Sequence, residues 1–452
     1  MKADVLIAEI GSTTTVLTAL TGINGKNPKI EAQGEHYTTV SEGDVTIGIQ
    51  GAVRDLEKKI NEKVDWEILL ASSSAAGGLK MTVHGLVYDM TVRAAKEAAL
   101  GAGAVLKFAT AGMMRHSQVN EIYRINPKVM LLAGGVDYGE ESTIIHNAEI
   151  IASMSMNCPV IYAGNCVLRD EAAQIFKDKG KELIITENVY PQVDHLNVEP
   201  ARRCIQEVFS KHIIHAPGME KIYSIVNGQV LTTPGAVMIT TELLSEIFGD
   251  VLTVDIGGAT TDVDSVTDGD PQIQRILVSP EPRSKRSVEG DLGLYVNAHN
   301  VIDLITPEKL RMEFSDYDEL FAQISPYPKT PRQEEFIASL AKYCFKTAVR
   351  RHAGKKGFLF GPTGRIETAQ GKDLTAIKHI FGTGGMLSRS RYRKEVMKSI
   401  FESSSKDELL PVENKTSLYY DKDYIFAPIG ILSTIDKQSA IELLKKDIAK
   451  IE

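Results

Sequence analysis

The segment Ala8-Glu9-Ile10-Gly11-Ser12-Thr13-Thr14-Thr15-Val16 has a counterpart far down the chain, Val254-Asp255-Ile256-Gly257-Gly258-Ala259-Thr260-Thr261-Asp262. Each follows an apolar run, Val5 to Ala8 or Val251 to Val254, that reads as a strand. In each, an acid is followed two residues on by glycine and then by small and hydroxyl residues, before a second run resumes. Both segments therefore read as β-hairpins with Gly-Thr-rich turns. A repeat of this kind restricts the chain to folds assembled from two copies of one plan. Behind each hairpin stands a strand–Gly-Gly–helix element. The first is Val129 to Gly135, with Gly134 lying 125 positions after Glu9; the second is Ile380 to Gly385, with Gly384 lying 129 positions after Asp255. The matched order and spacing pair these two elements as equivalents in two related lobes.

At 452 residues the chain exceeds one ordinary core, so two or three compact units are expected. The pattern predicts a helix near Ile47 to Asn61, a strand at Glu67 to Ala71 and a helix around Thr91 to Leu106. From Lys128 it alternates: a strand to Ala133, a helix over Glu140 to Met154, a strand over Val160 to Ala163, a helix over Arg169 to Lys179 and a strand at Leu183 to Thr186. Such a βαβαβ series forms parallel sheet. Thr306 to Gly354 reads as mostly helical, interrupted at Pro326, Pro328 and Pro331.

A Gly-Thr hairpin turn offers backbone N–H groups unobstructed by Cβ atoms, plus hydroxyl donors, which is what phosphate oxygens require. Two such turns facing one another would hold a polyphosphate from opposite sides. The candidate phosphate contacts are Gly11, Ser12, Thr13 and Thr14 in the first turn and Gly257, Gly258, Ala259, Thr260 and Thr261 in the second. Glu9 and Asp255 are placed to supply the hard oxygen ligands that Mg²⁺ prefers, and Asp262 to orient a water or the ion. Phosphoryl transfer depends mainly on positioning and charge neutralisation, so a sparse set of this kind suffices. Gly384, Gly385 and Met386 open a strand-to-helix turn against which a ribose or adenine can lie. Asp291, in Val288 to Gly293, is a candidate N-cap for the helix that follows, and Lys80 a candidate cation for the phosphates.

Other function classes fall away. The net charge of -8 argues against nucleic acid as the main partner. The clusters Arg350, Arg351, Lys355, Lys356 and Arg202, Arg203 read as solvated helix faces. Cys158, Cys166, Cys204 and Cys344 form no C-x-x-C pattern, and no secretory signal precedes the first strand, so a reduced, cytoplasmic setting is expected. No run reaches the ~18 apolar residues of a membrane span.

At these residues the chain resembles the actin / sugar kinase / DnaK-type ATPase superfamily. The resemblance implies an α/β fold of two ribonuclease-H-like lobes around a nucleotide cleft. Glu9 to Thr15 and Asp255 to Asp262 resemble its phosphate motifs, Gly382 to Leu387 its adenosine motif. Pro234-Gly235-Ala236 and Ala427-Pro428-Ile429-Gly430 resemble its two hinge helices. The implied division is an N-terminal lobe of residues 1–250, with the α/β segment of about 128–215 embedded in it and a hinge helix at about 235–248. A C-terminal lobe of residues 251–452 would carry the helical segment, the adenosine motif and a hinge helix from about 427. Within the superfamily the chain is similar to the accessory proteins encoded beside coenzyme-B12-dependent glutamate (methylaspartate) mutase and aminomutases, a family labelled MutL and unrelated to mismatch repair. The likeness rests on Ala8 to Thr13, Ser73 to Leu79, Leu131 to Asp137, Val254 to Asp262 and Val288 to Gly293. It implies an ATP- and Mg-dependent chaperone, a slow ATPase at most, that reactivates an adenosylcobalamin-dependent mutase by exchanging damaged cobalamin. Two departures stand out: Glu9 where aspartate is usual, and Val16 where related kinases carry lysine. The alternatives are a small-molecule kinase, with Asp137 or Asp291 as base, and an iron–sulfur ATPase activator of a radical dehydratase, which the Cys158/Cys166 spacing does not support.

Overall fold

The computed structural model describes residues 1–23, 27–74, 80–102, 104–193, 195–214, 218–278, 281, 283–361, 364–402 and 405–452. The chain forms two compact units: Met1–Ala75, Pro217–Val278 and Arg283–Glu452 make one, and Ala76–Ala216 with Ser279–Pro282 the other. The boundary expected at residue 250 falls inside the first unit, at the turn between two of its elements.

The first unit opens with β1 (Lys2–Ile10), β2 (Thr14–Thr21) and β3 (Lys29–Tyr37), paired antiparallel. β1 is apolar on both faces because both are covered: Leu6, Ile7, Ala8 and Ile10 are fully buried. α1 (Val45–Ile60) follows, started by Asp44 accepting the Thr46 N–H and stopped by Asn61 in the left-handed region. β4 (Asp65–Ser73) then pairs parallel with β1.

The second unit is parallel throughout. Its elements are β5 (Lys80–Gly85), α2 (Arg93–Gly101), β6 (Val105–Ala111), α3 (His116–Ile125), β7 (Val129–Leu132), α4 (Ser142–Ser153), β8 (Val160–Tyr162), α5 (Arg169–Asp178), β9 (Leu183–Ile185) and α6 (Glu199–Ile214). The strand order β6-β5-β7-β8-β9 is that of a doubly wound sheet. The predicted βαβαβ series is its last three strands. The helix expected over Thr91 to Leu106 ends at Gly101, and Val105 and Leu106 instead begin β6. Val129 to Gly135 is no counterpart of Ile380 to Gly385, because β7 pairs with β5 and β8 in this separate sheet.

Returning to the first unit, β10 (Leu231–Thr232) lies parallel to β4 and runs into α7 (Thr233–Phe248). The Thr232 hydroxyl accepts the Gly235 N–H at 2.9 Å, and Pro234 occupies the first turn where no N–H is needed. The plan then repeats. β11 (Val251–Ile256) and β12 (Thr261–Val266) precede α8 (Pro271–Gln274) and β13 (Ser284–Glu289). Helices α9 (Ala298–Ile305), α10 (Pro307–Glu313), α11 (Tyr317–Ala322) and α12 (Pro331–His352) come next, with Pro331 and a Thr330/Gln333 capping box starting α12. The hairpin β14 (Lys355–Gly361) and β15 (Gly364–Gln370) leads to β16 (His379–Thr383), α13 (Gly385–Arg389) and α14 (Arg393–Lys398). The chain finishes with β17 (Ser417–Asp421), α15 (Phe426–Leu432), α16 (Lys437–Asp447) and β18 (Ile448–Lys450).

The two sheets of this unit are laid out alike. β3-β2-β1-β4-β10 and β13-β12-β11-β16-β17 share one order and one set of directions: two antiparallel pairs, then parallel pairing. This is a doubled ribonuclease-H-like plan. A single core lies between the sheets, built from Val5, Ile7 and Leu70 of one, Val251, Val266 and Phe381 of the other, and the faces of α7 and α15. The two helices cross at near backbone contact. A Cβ added at Gly430 would stand 1.9 Å from the Ala236 carbonyl oxygen, and the Thr240 hydroxyl donates to the Phe426 carbonyl at 2.5 Å. The small residues expected at the helix starts are therefore a packing requirement.

Candidate functional site

Equivalent positions in the two sheets carry the two Gly-Thr turns. Gly11 N–H donates to Thr14 O at 2.9 Å, and Gly257 N–H to Thr260 O at 2.9 Å, so both turns close the same way. The turns face each other: the Thr13 hydroxyl lies 3.3 Å from where a Cβ would stand on Gly258. That hydroxyl is buried and makes no hydrogen bond. The second turn is braced from behind, because Tyr295 N–H and Val296 N–H donate to Gly258 O and the Asn297 amide donates to Ala259 O.

The turns open onto a cleft of about 570 Å³. Thr13, Thr14, Gly257, Gly258, Gly385 and Met386 line it, joined by Val16, Glu35, Arg389, Tyr424 and the wall Ser325 to Pro331. Ser12 is exposed at the first turn. Thr261 is turned to structural use, its buried hydroxyl donating to Leu292 O at 2.7 Å. Gly384 has φ +89, and a Cβ there would meet Ile256 O at 2.4 Å and Asp255 Oδ1 at 2.7 Å. Only glycine fits, and it seats the adenosine-type turn directly on the acid of the second hairpin. The helix it starts, α13, has five residues, so its dipole adds little.

The acids occupy matching registers: Glu9 faces Val16 across β1 and β2, and Asp255 faces Asp262 across β11 and β12. Glu9 is buried, and its Oε1 accepts from Tyr424 Oη at 3.0 Å. Burial pushes its pKa up to about 7, opposed by the Tyr424 bond, reinforced by Asp421 and lowered by Arg389. Asp255 is held well above the usual carboxylate range by burial and then by Asp262, Glu9, Asp264 and Asp421. Neither forms an ion pair among the described residues. Asp262 differs: burial raises its pKa, but Arg286 lies 3.3 Å away and Thr260 Oγ1 donates to it at 3.3 Å. Arg286 is itself fully buried and reaches Asp264 at 3.5 Å.

These features fit a magnesium–nucleotide. Mg²⁺ is held by one or two carboxylates together with phosphate oxygens and water, not by an all-protein cage. Two buried, uncompensated carboxyls and an unused hydroxyl facing a Cβ-free backbone are the matching donors. Among the described residues no group of three or more His, Cys, Asp or Glu is arranged to hold a metal alone.

Several candidates lie elsewhere. Asp291 is no helix cap: α9 begins at Ala298, and the Asp291 carboxylate instead pairs with Arg351 at 2.8 Å, as does that of Glu289. Asp137 belongs to the parallel unit, accepting from Cys166 N–H and the Asn188 amide. Lys80 is the exposed first residue of β5. Of the motif Ser73 to Leu79, Ala75 to Leu79 lie outside the described residues. Three members of the basic cluster, which runs from α12 into β14, are paired locally: Arg350 approaches Glu408 at 3.9 Å, Arg351 pairs as above, and Lys356 of β14 pairs with Glu367 at 3.3 Å. The four cysteines are free thiols, and burial pushes that of Cys158 up to about 11. The sequence reading missed Tyr424, Arg389, Tyr327 and Arg286, which carry no local motif. The only signal was the proximity of Arg389 and Tyr424 to the Gly-Gly and Ala427-Pro428 elements.

The MutL protein family model matches residues 5–448. Protein MutL of Clostridium tetanomorphum is 36% identical over 464 residues, covering 99% of each chain. The chain belongs to the MutL family. Among solved structures, the nucleotide-free diol dehydratase-reactivating factor is 10% identical with a TM-score of 0.39, covering 96% of this chain and 100% of that one. Xylulose kinase from Bifidobacterium adolescentis is 12% identical with a TM-score of 0.32, covering 99% and 96%. The fold of this MutL-family chain rests on strand order and direction, not on these distant likenesses. No helix among the described residues is long and apolar enough to cross a membrane.

Proposed function

We propose that this MutL-family protein is a nucleotide-gated accessory protein that reactivates an adenosylcobalamin-dependent mutase, glutamate mutase or an aminomutase, in the cytoplasm. In this reading Thr13, Thr14, Gly257 and Gly258 contact the phosphates of ATP. Glu9 and Asp255 hold Mg²⁺, directly or through water, and Gly384, Gly385 and Met386 take the nucleoside. Bound Mg²⁺ supplies charge neutralisation at the β- and γ-phosphates. The protein's part is to close two lobes on the nucleotide about the α7–α15 crossing, and to pass that closure to the client.

The observation that carries the reading is the pair of opposed hairpin turns, with the Thr13 hydroxyl buried, unbonded and aimed at Gly258. Membership of the MutL family supports the choice of client. A small-molecule kinase is less well supported, because Asp137 and Asp291 are both engaged in structural bonds. Val16, not a lysine, lines the cleft beside Glu9, which favours slow turnover over fast transfer.

The test is ATP binding and turnover with Mg²⁺, comparing the natural chain with Asp255→Ala, in the presence and absence of a cobalamin-inactivated mutase. Binding that is lost in the variant, with slow turnover stimulated by inactive mutase, is expected. Absence of nucleotide binding by the natural chain refutes the reading. Binding without any response to the mutase refutes the choice of client alone.

A further inference from the structure

Tyr424 sits at φ +54, a strained conformation that bulky residues rarely adopt and that persists only where the surroundings impose it. The surroundings do impose it. Asp423 N–H donates to Asp447 Oδ1 at 2.7 Å, and Ile425 N–H and Phe426 N–H donate to the two oxygens of Asp421 at 2.8 and 3.0 Å. Asp421 is anchored in turn by the Thr383 hydroxyl at 2.7 Å, and Asp423 O accepts from Gln33 of β3 at 2.9 Å. The backbone on both sides of residue 424 is thus tied down, and the result is a phenol delivered into the cleft. Its hydroxyl donates to Glu9 Oε1 at 3.0 Å. Its ring is overlaid by the Arg389 guanidinium at 5.5 Å, which Glu35 holds from the opposite sheet at 2.8 Å.

Glu9 is one methylene longer than an aspartate and has one more rotatable bond. Left alone, its carboxyl would sample several positions near a bound ion, each entropically costly to fix. We propose that Tyr424 is the positioning residue that adapts this cleft to a glutamate at position 9. The phenol occupies Oε1, fixes the plane of the carboxyl and leaves Oε2 as the single oxygen offered to a divalent ion. The strained turn, held by its bonds with Asp421, Asp447 and Gln33, is what delivers that hydroxyl. The inference rests on the magnesium–nucleotide reading above.

Tyr424→Phe keeps the ring, the backbone and the Arg389 overlay and removes only the hydroxyl. The experiment measures the ADP dissociation constant by calorimetry twice, with excess Mg²⁺ and with EDTA, and counts bound Mn²⁺ by electron paramagnetic resonance. Thermal melting of each variant reports folding. The expected result is a loss of the Mg²⁺-dependent gain in affinity by about ten-fold, the scale of one hydrogen bond to a charged acceptor. Mn²⁺ affinity should fall in parallel, with EDTA affinity unchanged within about two-fold and melting preserved. In a Glu9→Asp background, whose shorter side chain cannot reach the phenol, Tyr424→Phe should add no further loss. Equal weakening with and without the ion, or no change in ion dependence, overturns the inference while leaving nucleotide binding standing. Failure of the natural chain to bind Mg²⁺–ADP overturns both, and is seen before any variant is made.

Discussion

Replacing Thr13 by valine separates stability from function with opposite signs. The Thr13 hydroxyl oxygen is buried and unbonded, 3.3 Å from the position a Gly258 Cβ would take. A buried hydroxyl without a partner costs about 1–3 kcal/mol. Valine keeps the branched shape, so the removal creates no cavity and leaves no orphan polar atom. Thr13→Val should therefore stabilise the ligand-free protein by roughly 1 kcal/mol. The same hydroxyl is the donor a phosphate oxygen would use, and hydrogen bonds to charged groups contribute about 1.5–3 kcal/mol, or ten-fold to over a hundred-fold in affinity. The assay is urea denaturation of the ligand-free chain followed through the transition of the unit that holds the cleft, beside ATP titration calorimetry in Mg²⁺. A higher denaturation midpoint with weaker ATP binding is expected. If the variant is less stable, the hydroxyl has a partner in the folded protein. If stability rises but affinity is untouched, the hydroxyl is not a ligand donor and the opposed turns lose their functional meaning.

Two further outcomes follow from packing and burial. Gly430→Ala places a Cβ 1.9 Å from Ala236 O, so α7 and α15 must separate; a loss of about 1–3 kcal/mol is expected in denaturant melts, and a change of under about 0.5 kcal/mol would show that the helices do not cross there. In the parallel unit, burial pushes the His84 pKa down to about 3, and its two ring nitrogens face the Thr82 and Thr110 hydroxyls at 2.9 Å each. With an unfolded value near 6.5, this neutral imidazole contributes fully above pH 6.5 and its contribution drains away as pH falls toward 3, by up to about 1.4 kcal/mol per pH unit. His84→Gln should flatten that acid limb in urea midpoints taken between pH 6.5 and 4, and an unchanged slope would assign the limb to other groups.

The plan of the first unit was legible because it is repeated. Two hairpins with acids in matching registers announce two related sheets, and the strand order bears this out at Glu9 and Asp255. The Gly-Gly spacing misled for a physical reason. Gly134 and Gly135, at φ +144 and +70, close the turn after β7 in an inserted parallel sheet, where backbone geometry demands glycine as it does at Gly384. A glycine pair records a local backbone requirement, not a position in a sheet. Strand β6 was hidden because Val105 and Leu106 continue an apolar run from α2 that periodicity alone reads as helix. Tyr424, Arg389 and Arg286 were invisible because their meaning lies in distant partners: Glu9, Glu35 and Asp262.

The two acids that sequence symmetry equates are not equivalent in the folded protein. Glu9 has a phenol on one oxygen, and burial pushes its pKa up to about 7. Asp255 has Gly384 pressed against it and four acids around it, and burial holds it well above the usual carboxylate range. One acid is thus oriented by a hydrogen bond from the turn at Tyr424, the other by the backbone packed on it, so the same register in two sheets of one plan carries two different supports.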